Sequence, residues 1–505
     1  MNYSMLCLLA LASLTPEPHA TPMIESFDAV LDSLPPRLRK LVADFQSQPV
    51  TPTRAAEFER TLQSLLRDIG RDIVQWAYNA SEPAAVDTLA KHLTFQGEFF
   101  TRLNRKTPQP VWTLFGSFTL HRVGYRSTEK NGTPTIFPAA LALGLVEGVS
   151  PALAERVGWF IGSAGTSQQR VLDQLKRDYA VGWGVEKLRA VGAALAVDAR
   201  AFRQEVQVEK LLEYLTLAEQ SRGRHKPVLS VGRDGVSVGM RYVGVCLSEV
   251  ASTATVSVMD RRGKRVGTVY LAYMPESGQP TMSRELTALL EEVLKKWTLP
   301  LPRLAYVTDS GDNEVAYYEN GLAKMVHPRT GEPLAWIRVA DYYHASQRVW
   351  TMAEALFGKG RIATNWARTM LKWMLTPGGV NRVLHSAAAH RTRIDLGATA
   401  TAALAKASRY LRDRMPYMHY AAYRRLGVPC GSGVTEAACK TVYAQRLKLS
   451  GMRWKSSGAQ TVLDLRVLQL SGVWTTMTER VLSKREQPKP WGQKSGASNE
   501  TAIAA

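Results

Sequence analysis

No segment of this 505-residue sequence approaches the roughly 18 consecutive apolar residues of a membrane-spanning helix, and that class is excluded. Cysteine is scarce. Cys7, Cys246, Cys430 and Cys439 are too few and too scattered for a disulfide framework or a Cys-x-x-Cys metal site, and they point to a reducing compartment. Acidic residues are in deficit, 44 against 64 Lys and Arg, which gives a formal net charge of +20. Such an excess argues for a polyanionic partner and says nothing about fold. No internal repeat is present. With 45% hydrophobic residues, 12 Trp, 18 Tyr and 12 Phe, a mainly disordered chain is also excluded. The length predicts about three domains.

The N-terminus points elsewhere. Met5 to Leu14 is a short apolar run, ending near Ala20, that resembles the centre of a secretory signal. A signal carries a positive segment ahead of that run, whereas the first Lys or Arg here is Arg37. The expectation is a start codon placed too far upstream, with residues 1–22 outside the true chain.

Apolar periodicity predicts a helical region over 1–100 and a small β-rich region over 101–148. In the latter, Pro110 to Tyr125 reads as two strands around the Gly116-Ser117 turn. Helices near 150–163, 166–178 and 184–200 follow, and the break Ala180-Val-Gly-Trp-Gly184 is compatible with a helix-turn-helix. Three short helices also suit an ordinary core. After a basic linker at 221–227, strands are expected from Pro227, over Arg241 to Met259 and over Arg265 to Met274. A helix from Ser283 to Trp297, a strand Leu304 to Asp309 and a strand Ala335 to Asp341 come next. This order, three hairpin-spaced strands followed by helix, strand and strand, is the ribonuclease-H-like one. The core is expected over 226–350 and 427–476, interrupted by an all-α insertion over 351–426, and 477–505 reads as a disordered tail.

Three acids stand where such a fold would place chemistry. Asp234 lies in a strand, Asp309 ends one, and Glu436 sits in the first turn of a helix after Pro429-Cys-Gly-Ser-Gly433. Oxygen donors on separate elements suit two Mg²⁺ or Mn²⁺ ions, which activate a nucleophile and stabilise a leaving oxygen in phosphoryl transfer. Taken singly, each acid has a plain structural role, Glu436 as a favourable charge at a helix start and Asp234-Gly235 as a turn pair. Asp309-Ser-Gly311 also matches the aspartic-protease triplet, but Asp234-Gly lacks the Ser/Thr of a second copy, and two carboxylates must share one proton there. Asp312 is an alternative to Asp309.

The block Gly431-Ser-Gly-Val-Thr-Glu436-Ala-Ala-Cys-Lys440, with Gln445-Arg-Leu-Lys-Leu-Ser-Gly-Met-Arg-Trp454 and Gly458-Ala-Gln460, resembles the C-terminal signature of ISKra-type insertion-sequence transposases. These are bacterial DDE transposases related to the Mutator-like group. Arg233-Asp-Gly235, Thr308-Asp-Ser-Gly311 and Asp341-Tyr-Tyr-His344, the Asp/Cys-x-x-His element of that group, agree with it. So do Phe115 to Arg122 and Ser150 to Arg156. The resemblance spans about residues 100 to 476. It implies a ribonuclease-H-like core with Asp234, Asp309 and Glu436 as metal-binding triad, and a helical insertion between the second Asp and the Glu. It further implies Mg²⁺- or Mn²⁺-dependent cutting at element ends, then attack of the 3′-hydroxyl on target DNA. The partners would be terminal inverted repeats and target DNA, held by a homodimer or larger assembly at the bacterial nucleoid. A nuclease or resolvase on the same core, or a catalytically silent DNA-binding derivative, would share these features.

Lys440 lies four residues after Glu436 and would share its face. Arg446, Lys448, Arg453, Trp454 and Lys455 interleave basic and aromatic residues, as phosphate tracking and base stacking require. Asp341 and His344 read as supporting residues. Between 352 and 455 there are 18 Lys and Arg against 4 Asp and Glu, so a fifth of the chain carries +14 of the +20.

Overall fold

The structure is a computed structural model that describes residues 26–490 apart from Pro83, Lys130, Asn131 and Glu486. The apolar N-terminal run and the proposed start lie outside the described residues, as does the tail from 491. The chain divides into two compact units, residues 1–160, 167–195 and 480–505, and residues 161–166 and 196–479. The described residues form a mixed α/β protein with two sheets. Among the described residues no helix is long and apolar enough to cross a membrane.

The first unit opens with two helices, α1 (Phe27–Gln46) and α2 (Pro52–Ala80), capped by the Ser26 and Thr51 hydroxyls. A sheet follows in the order β3-β2-β1, made of β1 (His92–Phe95), β2 (Glu98–Thr113) and β3 (Gly116–Ser127), with a two-residue strand Lys489–Pro490 beside β1. Strand structure therefore begins inside the region expected to be helical. The tight turn is Thr113 to Gly116, earlier than the expected Gly116-Ser117. Thr113 Oγ1 donates to Gly116 O and accepts from Phe115 N, and Gly116 has φ +102°, which glycine adopts freely. Helices α3 (Pro138–Ala142), α4 (Pro151–Gly162), α5 (Gln168–Tyr179) and the start of α6 (Val185–Gln220) follow. The break after α5 is at left-handed Ala180, where it was expected.

α6 runs 36 residues, far past the expected end at 200. In the second unit its Val208, Leu211, Leu215 and Ala218 are buried in a core shared with the sheet, and that packing keeps the helix going. That sheet contains β4 (Val228–Arg241), β5 (Cys246–Met259), β6 (Arg265–Tyr273), β7 (Arg303–Thr308) and β8 (Trp336–Ala340) in the order β6-β5-β4-β7-β8. β4, β5 and β6 pair antiparallel, while β7 and β8 run parallel to β4. Between them lie α7 (Pro280–Lys296), which begins at an N1 proline rather than at Ser283, and α8 (Asp312–Asn320).

Successive side chains of a strand face opposite sides, so both faces of this sheet are filled. Leu229, Val231, Leu304 and Tyr306 pack with α6 and α7. Val228, Ala305, Val307 and Val339 pack with α9 (Tyr342–Phe357), α10 (Arg361–Met374), α11 (Gly379–Arg391), α12 (Ala398–Arg414) and α13 (Tyr420–Leu426). The helical stretch therefore starts at 342, nine residues before the expected insertion boundary. Then come α14 (Gly433–Ala438), a wider π turn Cys439–Ala444, α15 (Gln445–Leu447), α16 (Ser456–Leu470) and α17 (Trp474–Ser483). α17 overlaps the expected disordered tail, because Val473, Trp474, Met477 and Val481 are buried.

Candidate active site

β7 pairs with β4 only over Val228 to Val231. Beyond that point the β4 edge and its face are open to other segments, and the helix carrying Glu436 comes in there. Gly232 and Asp234 share one face of β4 by the two-residue period. A Cβ on Gly232 would lie 2.0 Å from Thr435 Oγ1, so only glycine admits α14 this closely. Thr435 Oγ1 and Thr255 Oγ1 are hydrogen-bonded at 2.7 Å, both buried. The residue before Glu436 is thereby fastened to the sheet two residues from Asp234.

Asp234 Oδ1 accepts from Gly235 N at 2.7 Å and Oδ2 from the Cys439 thiol at 3.3 Å. The carboxyl is held above its ordinary range chiefly by burial, with further repulsion from Asp309 and Glu436. Burial raises the Cys439 thiol most, and the Asp234, Glu436 and Asp309 charges add to it, so it stays a neutral donor. Asp234 of β4 thus feels both other acids foreseen from the sequence, Asp309 after β7 and Glu436 in α14.

Asp309 follows β7 directly. Gly311 N donates to its Oδ1 at 3.0 Å, and Ser310, 2% exposed, takes the left-handed φ of +65° between them. Two residues from α12 hold this turn by its backbone. Tyr410 Oη donates to Asp309 O at 3.3 Å and Arg414 Nη2 to Ser310 O at 3.0 Å, with the Arg414 guanidinium 4.2 Å from the Tyr410 ring centre. Asp312 is exposed at the start of α8. The buried acid of this helix is Glu314, whose Oε2 would lie 2.5 Å from a Cβ on Gly311, while Asp309 Oδ1 would lie 3.5 Å from it. Burial raises the Glu314 carboxyl, and repulsion from Asp309 and Asp234 adds to the shift.

Asp341, fully buried, follows β8 and caps α9. Its Oδ1 accepts from His344 N at 2.7 Å and its Oδ2 from Ser432 N. Ser432 Oγ donates to Glu436 Oε1 at 2.8 Å, and His344 Nε2 lies 3.6 Å from the same oxygen. Ligand atoms of Asp341, His344 and Glu436 fall within 4.8 Å of one another. Both Asp341 oxygens are engaged by backbone N–H groups, which makes it the brace between α9 and the loop before Glu436.

Asp234, Asp309 and Glu436 offer hard oxygen donors on separate elements, while the group whose ligand atoms come within 4.8 Å of one another is Asp341, His344 and Glu436. Carboxylate oxygens are the ligands that hard divalent cations take.

Of the basic and aromatic residues expected at DNA, Lys440, Lys448, Arg453 and Lys455 are exposed. Arg446 is not available. It is 1% exposed and its Nε donates to Ile161 O at 2.8 Å, because the π turn rotates the following residues inward. Burial and the neighbouring Arg466 lower its pKa to about 10. Trp454 is half-buried, its backbone bridging to Met240 of β4 and its indole N–H donating to Leu447 O at 2.9 Å. Sequence reasoning missed Glu314, Cys439, Tyr410 and Arg414. Gly232, two residues before an acid in a strand, was a legible sign that something approaches closely. No family model and no curated protein matches the chain.

Proposed function

We propose that this protein is a DNA transposase with a ribonuclease-H-like core, cutting at the ends of a mobile element and joining the freed 3′-hydroxyl to target DNA. The observation that carries this reading is the seating of the Glu436 helix on the strand of Asp234, with Thr435 against Gly232 and the Cys439 thiol on Asp234 Oδ2, where the Asp309 charge also acts on the buried Asp234 carboxyl. The strand order β6-β5-β4-β7-β8, with the acids at β4, at the C-terminal end of β7 and on a helix packed over β4, supports it. So do the resemblance of the 431–460 block and the positive charge concentrated over 352–455.

Asp234, Asp309 and Glu436 would hold two Mg²⁺ or Mn²⁺ ions, which supply nucleophile activation and leaving-oxygen stabilisation when bound. The chain's own work is positioning. Tyr410 and Arg414 fix the backbone of the Asp309 turn, while Asp341, Ser432 and His344 orient the Glu436 carboxylate. The Gly235 N–H and the Cys439 thiol each hold one Asp234 oxygen in place. Exposed Lys440, Lys448, Arg453 and Lys455 would take backbone phosphates. Water attacks the scissile phosphate, and the resulting 3′-hydroxyl then attacks a phosphate of the target strand with no covalent enzyme intermediate.

The test uses labelled duplexes of the inverted repeats flanking the gene, with Mg²⁺ and a target plasmid. Cleavage plus joining is expected. Cleavage without joining would favour a nuclease, and binding alone a silent derivative. Asp234→Ala, Asp309→Ala and Glu436→Ala should each abolish cleavage, and full activity in any of them would remove that residue from the triad.

A further inference from the structure

Tyr343 is 62% exposed, the most exposed ring among the described Phe, Tyr and Trp residues. It stands in the first turn of α9 between the brace Asp341 and His344, whose Nε2 is 3.6 Å from Glu436 Oε1. Its neighbour Tyr342 turns inward, 5.2 Å from Tyr420 in ring separation, and helix geometry sends Tyr343 the other way. The ring is nonetheless held. Tyr342 meets it edge-on at 5.8 Å, and a Cβ on Gly431 would come within 2.8 Å of its carbons. Gly431 is therefore the residue that lets this ring lie against the loop leading to Glu436. An aromatic ring packed on one side and open to solvent on the other, one residue from a group 3.6 Å from a candidate metal-binding carboxylate, does nothing for the core.

From this we infer that Tyr343 is the stacking platform for the base beside the scissile phosphate, displaced from the duplex when the strand enters the site. This rests on the proposed function and assigns the site a nucleobase contact. Every base offers a π-face, so the contact is sequence-tolerant, and extruding a base from a paired duplex is unfavourable unless a partner receives it. Trp454, the aromatic first expected in this role, is committed to the β4 edge by its backbone and to Leu447 O by its indole.

The experiment uses the full chain and inverted-repeat duplexes carrying 2-aminopurine at each nucleotide flanking the cut, with Ca²⁺ for binding and Mg²⁺ for cleavage. Wild type, Tyr343→Phe and Tyr343→Trp should give the same changed emission at one position, which Tyr343→Ala lacks. Cleavage by Tyr343→Ala should fall about tenfold to a hundredfold, the loss a base–aromatic contact accounts for. The wild-type advantage should vanish when that nucleotide is abasic, because nothing remains to stack. Wild-type emission and rate in Tyr343→Ala, or a defect that persists on the abasic duplex, would overturn the inference. So would a change in oligomeric state with unaltered emission, which would make Tyr343 a contact between copies. If the wild type fails to cut the intact duplex, the transposase reading itself falls, and this inference with it.

Discussion

Replacing Gly232 by alanine should push the Glu436 helix off the strand that carries Asp234. The new Cβ would start 2.0 Å from Thr435 Oγ1, where ordinary contact begins at 3.4 Å. Two relaxations are open. Thr435 can rotate, breaking its 2.7 Å bond with Thr255 and leaving two buried hydroxyls short of a partner, at about 1–3 kcal/mol. Alternatively α14 can withdraw, at the roughly 1–3 kcal/mol typical of an overpacked core, and Glu436 retreats with it. A shift of about 1 Å in a catalytic group lowers a rate by roughly a hundredfold. The assay is a double-mutant cycle of Gly232→Ala and Thr435→Ala, read by thermal unfolding and by cleavage of inverted-repeat duplex. Gly232→Ala should be less stable and about a hundredfold slower. Thr435→Ala removes the oxygen in conflict, so the double mutant should recover most of both losses. An additive cycle, or a fully stable and active Gly232→Ala, would refute the close approach as the device that joins the two acids. The stability arm is independent of what the protein acts on.

Arg414→Ala should raise the Mg²⁺ concentration needed for half-maximal cleavage, because the Asp309 turn loses its bond to Ser310 O, while Arg414→Lys should retain part of it. An unchanged metal requirement would detach the helical insertion from the site. Neutralising Lys448, Arg453 and Lys455 together should flatten the salt dependence of DNA binding, by about one unit of slope for each phosphate no longer neutralised. An unchanged slope would send the DNA elsewhere. In the first unit, Glu82 is 7% exposed, accepts from Val123 N at 3.2 Å, and has its carboxyl raised by burial against the pull of Lys106 and Arg122. A raised acid stabilises the fold below its ordinary pKa, and that contribution is lost as pH rises through the raised value. Unfolding across mildly acidic pH should therefore show stability falling with rising pH at this site, and Glu82→Gln, which keeps the acceptor, should remove that component.

The local elements were legible because their causes are local. Apolar runs of period two named β4 to β8 within a few residues, and a cap or proline at a helix start named α4 and α7 nearly as well. Where only packing extends an element, the sequence was silent, as with α6 beyond residue 200 and α17 in the supposed tail. The three acids could be chosen by their places within a strand, at a strand end and at a helix start. The approach of Glu436 to Asp234 depends on Gly232 and Thr435, a contact across 203 residues of chain.

By itself, then, the sequence determined which segments form the strands β4 to β8, that Asp234 lies within one and Asp309 follows another, and where the positive charge lies. Only the tertiary structure decided which of two similar residues does what. Arg446 and Lys448 are both cations two residues apart, yet the phase of a π turn buries one and exposes the other. Asp312 and Glu314 are both acids of α8, and the direction of the helix brings Glu314 to Asp309. Of the two aromatics Trp454 and Tyr343, a backbone bridge to β4 occupies the first, while the second stays open against Gly431 of the loop leading to Glu436. Burial and like-charge repulsion act through space, and spacing along the chain does not record them.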